Sequence, residues 1–182
     1  AMPDDTPLPP IWLLGSSDYS SELAAQVGMG FAFAHHFASY DAIAAMTHYR
    51  RHFKPSGWRQ TPHGILAVAI VAAETDAEAE RLATSMDLNR LRRDRGQYLP
   101  LPSVEEALAY PYSDAERASI ERNRSRLFVG SPATVMAKLQ PMISASEADE
   151  LMVITAVYDH EARKKSYSLL ADAFGLAKKA AA

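Results

Sequence analysis

The sequence predicts an α/β fold in which parallel strands alternate with helices, and three observations carry that reading. Residues 64 to 73, GILAVAIVAA, are apolar at almost every position, as a strand covered by helices on both faces must be. Short apolar runs stop at turn or capping residues and pass directly into amphipathic helical patterns. The order of elements is strand, helix, strand, helix, strand, helices, strand, helix. Four main strands are visible. A complete eight-stranded βα barrel takes about 250 residues, whereas this chain has 182 and spends residues 75–126 on a helical insertion before the last strand. It therefore supports half of a TIM-type barrel, or a small open sheet.

Each element follows from local chemistry. Residues 1–10 are proline-rich and polar, and read as an extended or disordered lead-in to one domain over residues 11–182. Residues 11–15 form the first strand, and residues 18–28 a helix that Gly28 ends. The second strand, Phe31 to Ala34, stops at His35-His36. Ser39 is placed to cap a helix over 40–53, where Ile43, Met46, Tyr49, Arg50 and Phe53 recur at helical spacing. Pro55, Gly57 and Pro62 break the chain before the central strand. Three segments with the capping-box pattern, starting at Thr75, Ser103 and Ser113, open helices over 76–95, 104–110 and 114–126. Leu127 to Gly130 is a short apolar piece, and Pro132 suits the first position of a helix over 132–145. Leu151 to Thr155 is the last main strand. The terminal helix, 160–178, carries Tyr167, Leu170, Ala171 and Phe174 on one face.

Composition narrows the function. The net charge is −3 and the basic residues are scattered, apart from Arg90, Arg92, Arg93 and Arg95 at a helix end, so no electrostatic footprint for nucleic acid is present. With no cysteine there is no disulfide or thiolate chemistry, in keeping with a reducing compartment. The longest apolar run is too short to span a bilayer, and no secretory leader pattern is seen. The expectation is a cytoplasmic protein without membrane or nucleic-acid partners.

In parallel α/β arrangements functional groups collect at the carboxyl ends of strands. Those ends carry Gly15-Ser16-Ser17, Ala34-His35-His36, Glu74-Thr75 and Thr155 through Asp159-His160. Unpaired N–H groups and a partial positive charge at the helix start beside Ser16, Ser17, Ser20 and Ser21 suit an anion such as a phosphate, although Ser17 or Asp18 acting as a simple cap is the commoner use of that pattern. Adjacent histidines on a strand point to opposite faces and cannot chelate one metal in the usual way, so no metal site is expected. Asp159 reads as a helix cap. Trp12, Phe31, Phe33 and Phe37 suit either a flat aromatic ligand or a core. Gly-x-Ser-x-Gly, Walker and Gly-x-Gly-x-x-Gly patterns are missing, which removes the usual support for hydrolase and nucleotide-triphosphate readings.

Three segments in order, WLLGSSDYSSELAAQVGMGFAFAHHF, GSPATVMAKL and DELMVITAVYDHEARKKSYSLLADAF, resemble the carboxyl-terminal half of the bacterial-luciferase-like flavin monooxygenases. The resemblance implies the last four strands of a βα barrel that binds reduced FMN, with a deazaflavin as the less favoured cofactor, and oxidises a small organic substrate with oxygen. By that match Ser16, Ser17 and Ser20 contact the flavin phosphate, with Asp18 and Tyr19 in the same turn. Ala34 and His35 fall beside the flavin ring, and His35 is the catalytic candidate because imidazole titrates near neutrality. The resemblance also implies a missing first half, so a homodimer or a complementing chain is expected to cover the open half barrel. The alternative is a non-catalytic flavin-binding or structural half-barrel that needs a partner chain or its missing N-terminal half.

Overall fold

The computed structural model describes residue 6 and residues 9–176. The elements are β1 (Trp12–Gly15), α1 (Asp18–Val27), β2 (Gly30–Ala34), a 3-10 turn (His35–Phe37), α2 (Ala42–His52), β3 (Gly64–Ala72), α3 (Asp76–Asp94), α4 (Val104–Ala109), α5 (Asp114–Arg124), β4 (Leu127–Gly130), α6 (Pro132–Ser146), β5 (Glu150–Ile154) and α7 (His160–Ala173). The chain divides into two compact units, Ala1–Ala67 with Met142–Met152, and Val68–Pro141 with Val153–Ala182. Most of the expected lead-in and the end of the expected last helix, residues 177 and 178, lie outside the described residues.

In the first unit β1 pairs in parallel with β2, Trp12 opposite Gly30 through Gly15 opposite Phe33. Next, β2 pairs in parallel with the start of β3, Phe31 opposite Gly64 through Ala34 opposite Ala67. Helices α1 and α2 pack on each other and on these strands. Their small buried residues, Ala24 and Ala25 on α1 and Ala42 and Ala45 on α2, let the backbones approach closely around Phe31, Phe33, Met46 and Tyr49. Burial raises the Tyr49 phenol above its ordinary pKa, and the hydroxyl is used twice, donating to the Met29 carbonyl (2.8 Å) and accepting from the His63 N–H (3.1 Å). The start of β3 is fixed by Asp149. Its backbone N–H donates to the Gly64 carbonyl (3.0 Å), and its carboxylate accepts from the Gly64 N–H (2.7 Å) and from Arg50.

In the second unit the end of β3 pairs in parallel with β4, Ala69 opposite Leu127 through Ala72 opposite Gly130. Their side chains join Ala79, Leu82 and Ala83 of α3 and Val104 of α4 in one apolar core. Arg124 at the end of α5 clamps Asp87 of α3 with two hydrogen bonds of 2.8 and 2.7 Å and reaches Glu80 at 3.0 Å. The last helix closes two strand ends: Ser166 Oγ accepts from the Ala72 N–H (2.9 Å) and the Tyr167 hydroxyl accepts from the Thr155 N–H (3.0 Å).

The α/β class and parallel pairing agree with the sequence. The short piece Leu127–Gly130 is a paired strand, which makes five strands among the described residues. Several helix starts differ. Asp41, not Ser39, caps α2 by accepting from the Ala44 N–H (2.7 Å), so the helix begins at Ala42. Of the three capping patterns only Ser113 with Glu116 closes a reciprocal box. Thr75 and Ser103 cap their helices, but Glu78 turns to Arg81 and Glu106 to Arg92, whereas Glu116 meets Arg95 with one oxygen and keeps the other on Ser113. The last helix ends at Ala173, with Phe174 as its C-cap, and Tyr167 on its expected apolar face is exposed.

Glu116 generates a pH prediction. The Ser113 N–H and hydroxyl, then the Tyr110 hydroxyl and Arg95, hold its carboxyl down from 4.5 to about 2. A depressed carboxyl contributes its stabilisation in full above the unfolded value and loses it as pH falls through the folded one. The stability difference between the native chain and Glu116→Gln should therefore be constant above about pH 5 and shrink between 4.5 and 2. Urea titrations at stepped pH read this directly, and a difference independent of pH in that window would show that the ionised box does not stabilise α5.

Candidate functional site

In the first unit the candidate site is the turn between β1 and α1, followed by the segment that leaves β2. Gly15 ends β1, and a Cβ built on it would lie 2.1 Å from Ser20 Oγ and 2.2 Å from Ser20 Cβ. Only glycine permits that approach, and it brings Ser20, the first serine within the helix, down onto the strand end. Ser17 is the N-cap, in extended conformation with φ −137° and ψ 169°. Its Oγ accepts from the Ser20 N–H at 3.4 Å, and Ser20 Oγ accepts from the Ser17 N–H at 3.3 Å while donating to the Ser17 carbonyl at 2.8 Å. The two serines form a reciprocal capping box with serine in the place that glutamate usually takes.

The six residues named from sequence as cofactor contacts therefore differ in what they have to offer. The Ser20 hydroxyl is engaged in the box. Ser16 takes no part in that exchange and is half-buried beside the helix start. Ser17 Oγ accepts the capping bond and also lies 3.5 Å from Ser20 Oγ, whose own proton goes to the Ser17 carbonyl, so the Ser17 hydroxyl reaches a ligand by turning from Ser20. Asp18 is exposed, and its carboxylate accepts from the Tyr19 N–H (2.8 Å), adding negative charge to the first turn. Tyr19 is also exposed. Ala34 is fully buried at the end of β2.

His35 and His36 do not continue the strand. They form a 3-10 turn with Phe37, so the expectation that their side chains take opposite faces of a strand does not apply. The two ring nitrogens of His35 are out of contact with solvent. His36 Nδ1 lies 3.3 Å from the Ala67 carbonyl, and its ring meets Phe37 edge-on with centroids 4.5 Å apart. Of the four aromatic residues considered as a ligand platform, Phe31 and Phe33 are core, Trp12 packs edge-on against His63 and under Arg59, and Phe37 is exposed.

A groove of about 470 Å³ opens beside the helix start, lined by Asp18, Tyr19, Glu22, Tyr40 and His48. Glu22 accepts from Gln26 (2.8 Å) and pairs with His48 Nε2, which stacks its ring on His52. The His48 bond, then the Gln26 bond, hold the Glu22 carboxyl below its ordinary value. Glu22, Tyr40 and His48 were not singled out by sequence reasoning, because Glu22 and His48 stand 26 positions apart and nothing local links them.

In the second unit the charged strand ends have structural partners, and the Thr155 N–H is paired with Tyr167 while its hydroxyl is buried without a hydrogen-bond partner. Glu74 pairs with Lys165 (2.6 Å), Asp159 caps α7 by accepting from the Ala162 N–H (2.7 Å), and Thr155 is buried. Asp76 accepts from the Ser131 N–H (2.6 Å) and the Thr134 hydroxyl (3.0 Å), and those bonds depress its pKa. Among the described residues no group of three or more histidines and carboxylates is placed to hold a metal ion. Nor is any helix among them long and apolar enough to cross a membrane.

Comparison with known proteins adds a family. Residues 1–146 match the profile of the luciferase-like monooxygenases. The luciferase-like monooxygenase of Escherichia coli K12 is 39% identical over 163 residues, covering 90% of this chain and 49% of that one. The uncharacterized protein YceB of Bacillus subtilis is 39% identical over 166 residues, covering 91% and 50%. The crystal structure of apo-MsnO8 superposes with a TM-score of 0.89 at 36% identity, over 98% of this chain and 54% of that one. The chain belongs to the luciferase-like monooxygenase family, and it spans about half the length of the relatives it matches.

The serine box yields a stability prediction. Ser17→Ala removes the cap and should cost about 1 kcal/mol, and Gly15→Ala, which forces Ser20 off the strand end, should cost at least as much. Denaturant unfolding of both variants measures this, and a Gly15→Ala protein as stable as the parent would show that the close approach is not required.

Proposed function

We propose that this chain holds FMN by its phosphate at the serine-lined start of α1, as part of an oxidoreductase that oxidises a small organic substrate. One observation carries the reading: a ten-residue helix begins directly at the carboxyl end of β1, with Ser16 and Ser17 at its first turn. Membership of the luciferase-like monooxygenase family supports it.

The residues present fit a phosphate on the side of Ser16 and Ser17. The Ser16 hydroxyl and, when it turns from Ser20, the Ser17 hydroxyl act as donors, and the helix start adds the positive end of its dipole. The Asp18 carboxylate opposes an anion and holds the Tyr19 N–H (2.8 Å), so the phosphate is placed away from it, with the Asp18 N–H as the backbone donor and Tyr19 beside it in the same turn. Ser20 acts through the box, holding Ser17 in position. Ala34, at the end of β2, is the residue we place beside the flavin ring; it is fully buried and offers only its Cβ and backbone there.

Reduced FMN, when bound, supplies the electrons for reaction with molecular oxygen, and the protein supplies orientation and exclusion of water. His35, at the end of β2, is the catalytic candidate, with an imidazole ring as its proton-carrying group. A deazaflavin carries the same phosphate and a related ring, and is the less favoured cofactor.

A second reading has its own observation. The chain spans about half the length of its relatives, and on this reading it is a non-catalytic flavin-binding or structural half that needs a partner chain or its missing N-terminal half. We place the protein in the cytoplasm, with no nucleic-acid or membrane partner.

Titration of FMN with the protein, followed by quenching of flavin fluorescence, tests the phosphate site. Ser17→Asp brings a carboxylate against the phosphate and should weaken binding roughly tenfold or more, about 1.4 kcal/mol or above. Unchanged affinity in a folded variant would mean that the serines only cap the helix. Consumption of oxygen by reduced flavin and a candidate substrate then separates an enzyme from a binder.

A further inference from the structure

We propose that the groove at the amino end of β1, between the residues that lead into that strand and the turn that presents Trp58 and Arg59, binds an aromatic carboxylate. It lies at the opposite end of β1 from the serine turn, and nothing in it depends on the flavin reading.

One serine fixes the turn that follows α2. The Ser56 N–H donates to the Arg59 carbonyl (2.9 Å) and the Ser56 carbonyl accepts from Gln60 Nε2 (2.7 Å). Its Oγ accepts from the Trp58 N–H (3.0 Å) while donating to the Gly28 carbonyl (2.8 Å). Every hydrogen-bonding group of Ser56 is thus engaged, and the last of these bonds ties the turn to the end of α1. Gly28 permits that approach: it has φ +69°, and a Cβ on it would lie 2.3 Å from the Lys54 carbonyl oxygen and 2.7 Å from Ser56 Cβ. Folding has therefore already ordered the groups that the turn presents, and a ligand need not order them again.

What the turn presents does not serve packing alone. Trp58 is 47% exposed, whereas tryptophan is highly buried on average. Beside it Arg59 is half-buried, with its guanidinium carbon 5.0 Å from the centre of the Trp12 ring. Stacking of that kind uses the flat face of the guanidinium and leaves its in-plane N–H donors available. Those donors are unused, since the Arg59 guanidinium makes no hydrogen bond or ion pair among the described residues. Glu150, the carboxylate that reaches this end of the sheet, is taken by His63, which packs on Trp12.

The groove decides the ligand class. It encloses about 540 Å³, a size that suits a small molecule, and is lined by Pro9, Pro10 and Ile11 ahead of β1 and by Trp58, Arg59 and Thr61 ahead of β3. No aspartate or glutamate is among the lining residues, so an anion meets no opposing charge. The guanidinium fork matches the two oxygens of a carboxylate, and the indole with the proline rings offers flat apolar surface to an aromatic body. An inorganic anion would leave Trp58 unused and a neutral ring would leave Arg59 unused. A ligand with both a carboxylate and a ring uses the whole groove.

The test exploits the placement of the chain's two tryptophans, Trp12 and Trp58, which both belong to this site. Tryptophan fluorescence of the whole chain therefore reports on the groove directly. Phenylacetate should change it saturably, while phenylacetamide, which lacks the charge, and acetate, which lacks the ring, should each bind at least roughly tenfold more weakly. Arg59→Gln, followed by fluorescence, and Trp58→Leu, followed by calorimetry, should each lose phenylacetate affinity by a similar factor, with thermal melting to establish that each is folded. The comparison of the three ligands on the parent chain needs no variant. The proposal is overturned by absence of a saturable change with phenylacetate, by equal binding of phenylacetamide or acetate, or by unchanged affinity in folded Arg59→Gln. Ser17→Asp, which tests the flavin phosphate site, should leave phenylacetate binding as it is, so either reading can fail without the other. Loss of phenylacetate binding in that variant, when folded, would move the ligand to the serine turn and overturn the groove as its site.

Discussion

Burial of β3 is the constraint that the rest of the molecule answers to. All nine residues from Gly64 to Ala72 are buried, and each of Ile65, Leu66, Val68, Ile70 and Val71 gains about 1.5–3 kcal/mol from leaving water. That sum far exceeds the contribution of any single cap or surface ion pair, which is about 1 kcal/mol or less. A strand in this position has no water to satisfy its backbone, so neighbours must do so. The pairing with β2 serves its first residues and the pairing with β4 its last. Asp149 takes both backbone groups of Gly64, and Ser166 accepts the N–H of Ala72. Gly64 has its own steric reason: a Cβ there would lie 2.5 Å from the terminal methyl of Met46.

The sequence disclosed what depends on short-range pattern. A run as apolar as GILAVAIVAA has few alternatives to a doubly covered strand, and serine or threonine before an amphipathic stretch marked the helix starts at Thr75, Ser103 and Ser113. What depends on distant partners was not legible. Glu78, Glu106 and Glu116 each meet an arginine, yet only Glu116 also returns to its cap, and the partners Arg92 and Arg95 come from the end of α3, not from the helices those glutamates open. Leu127–Gly130 becomes a strand only because β3 offers an edge to it, since four residues carry too little periodicity of their own. Asp41 outranks Ser39 because the helix starts where the backbone after it turns, a matter of loop geometry that composition does not reveal.

The candidate site shows the same division. The strand end, the glycine and the cluster of serines were readable, and matching of flanking segments identified the family. The reciprocal bonding of Ser17 and Ser20 was not, because serine three residues after the N-cap does not fit the usual pattern that ends in glutamate or glutamine. That bonding gives the serines unequal parts. Ser20 belongs to the scaffold, while Ser16 and Ser17 present the chemistry, and Gly15 joins the two by allowing the helix to rest on the strand. The groove beside them joins α1 to α2 through Glu22 and His48, a contact that only folding brings together.

Asp76 has a different kind of consequence. It occupies the first turn of α3, yet its carboxylate accepts from the Ser131 N–H and the Thr134 hydroxyl at the start of α6, and a Cβ on Gly130 would lie 2.9 Å from its Oδ1. Two helices and a strand end share one carboxylate. A shorter, longer or uncharged side chain at position 76 would leave donors on another helix unmet, so no single replacement elsewhere restores the set. Asp76, Gly130, Ser131 and Thr134 thus form one structural set in which a change at any member is felt by the others, although more than fifty residues of sequence separate the aspartate from the rest.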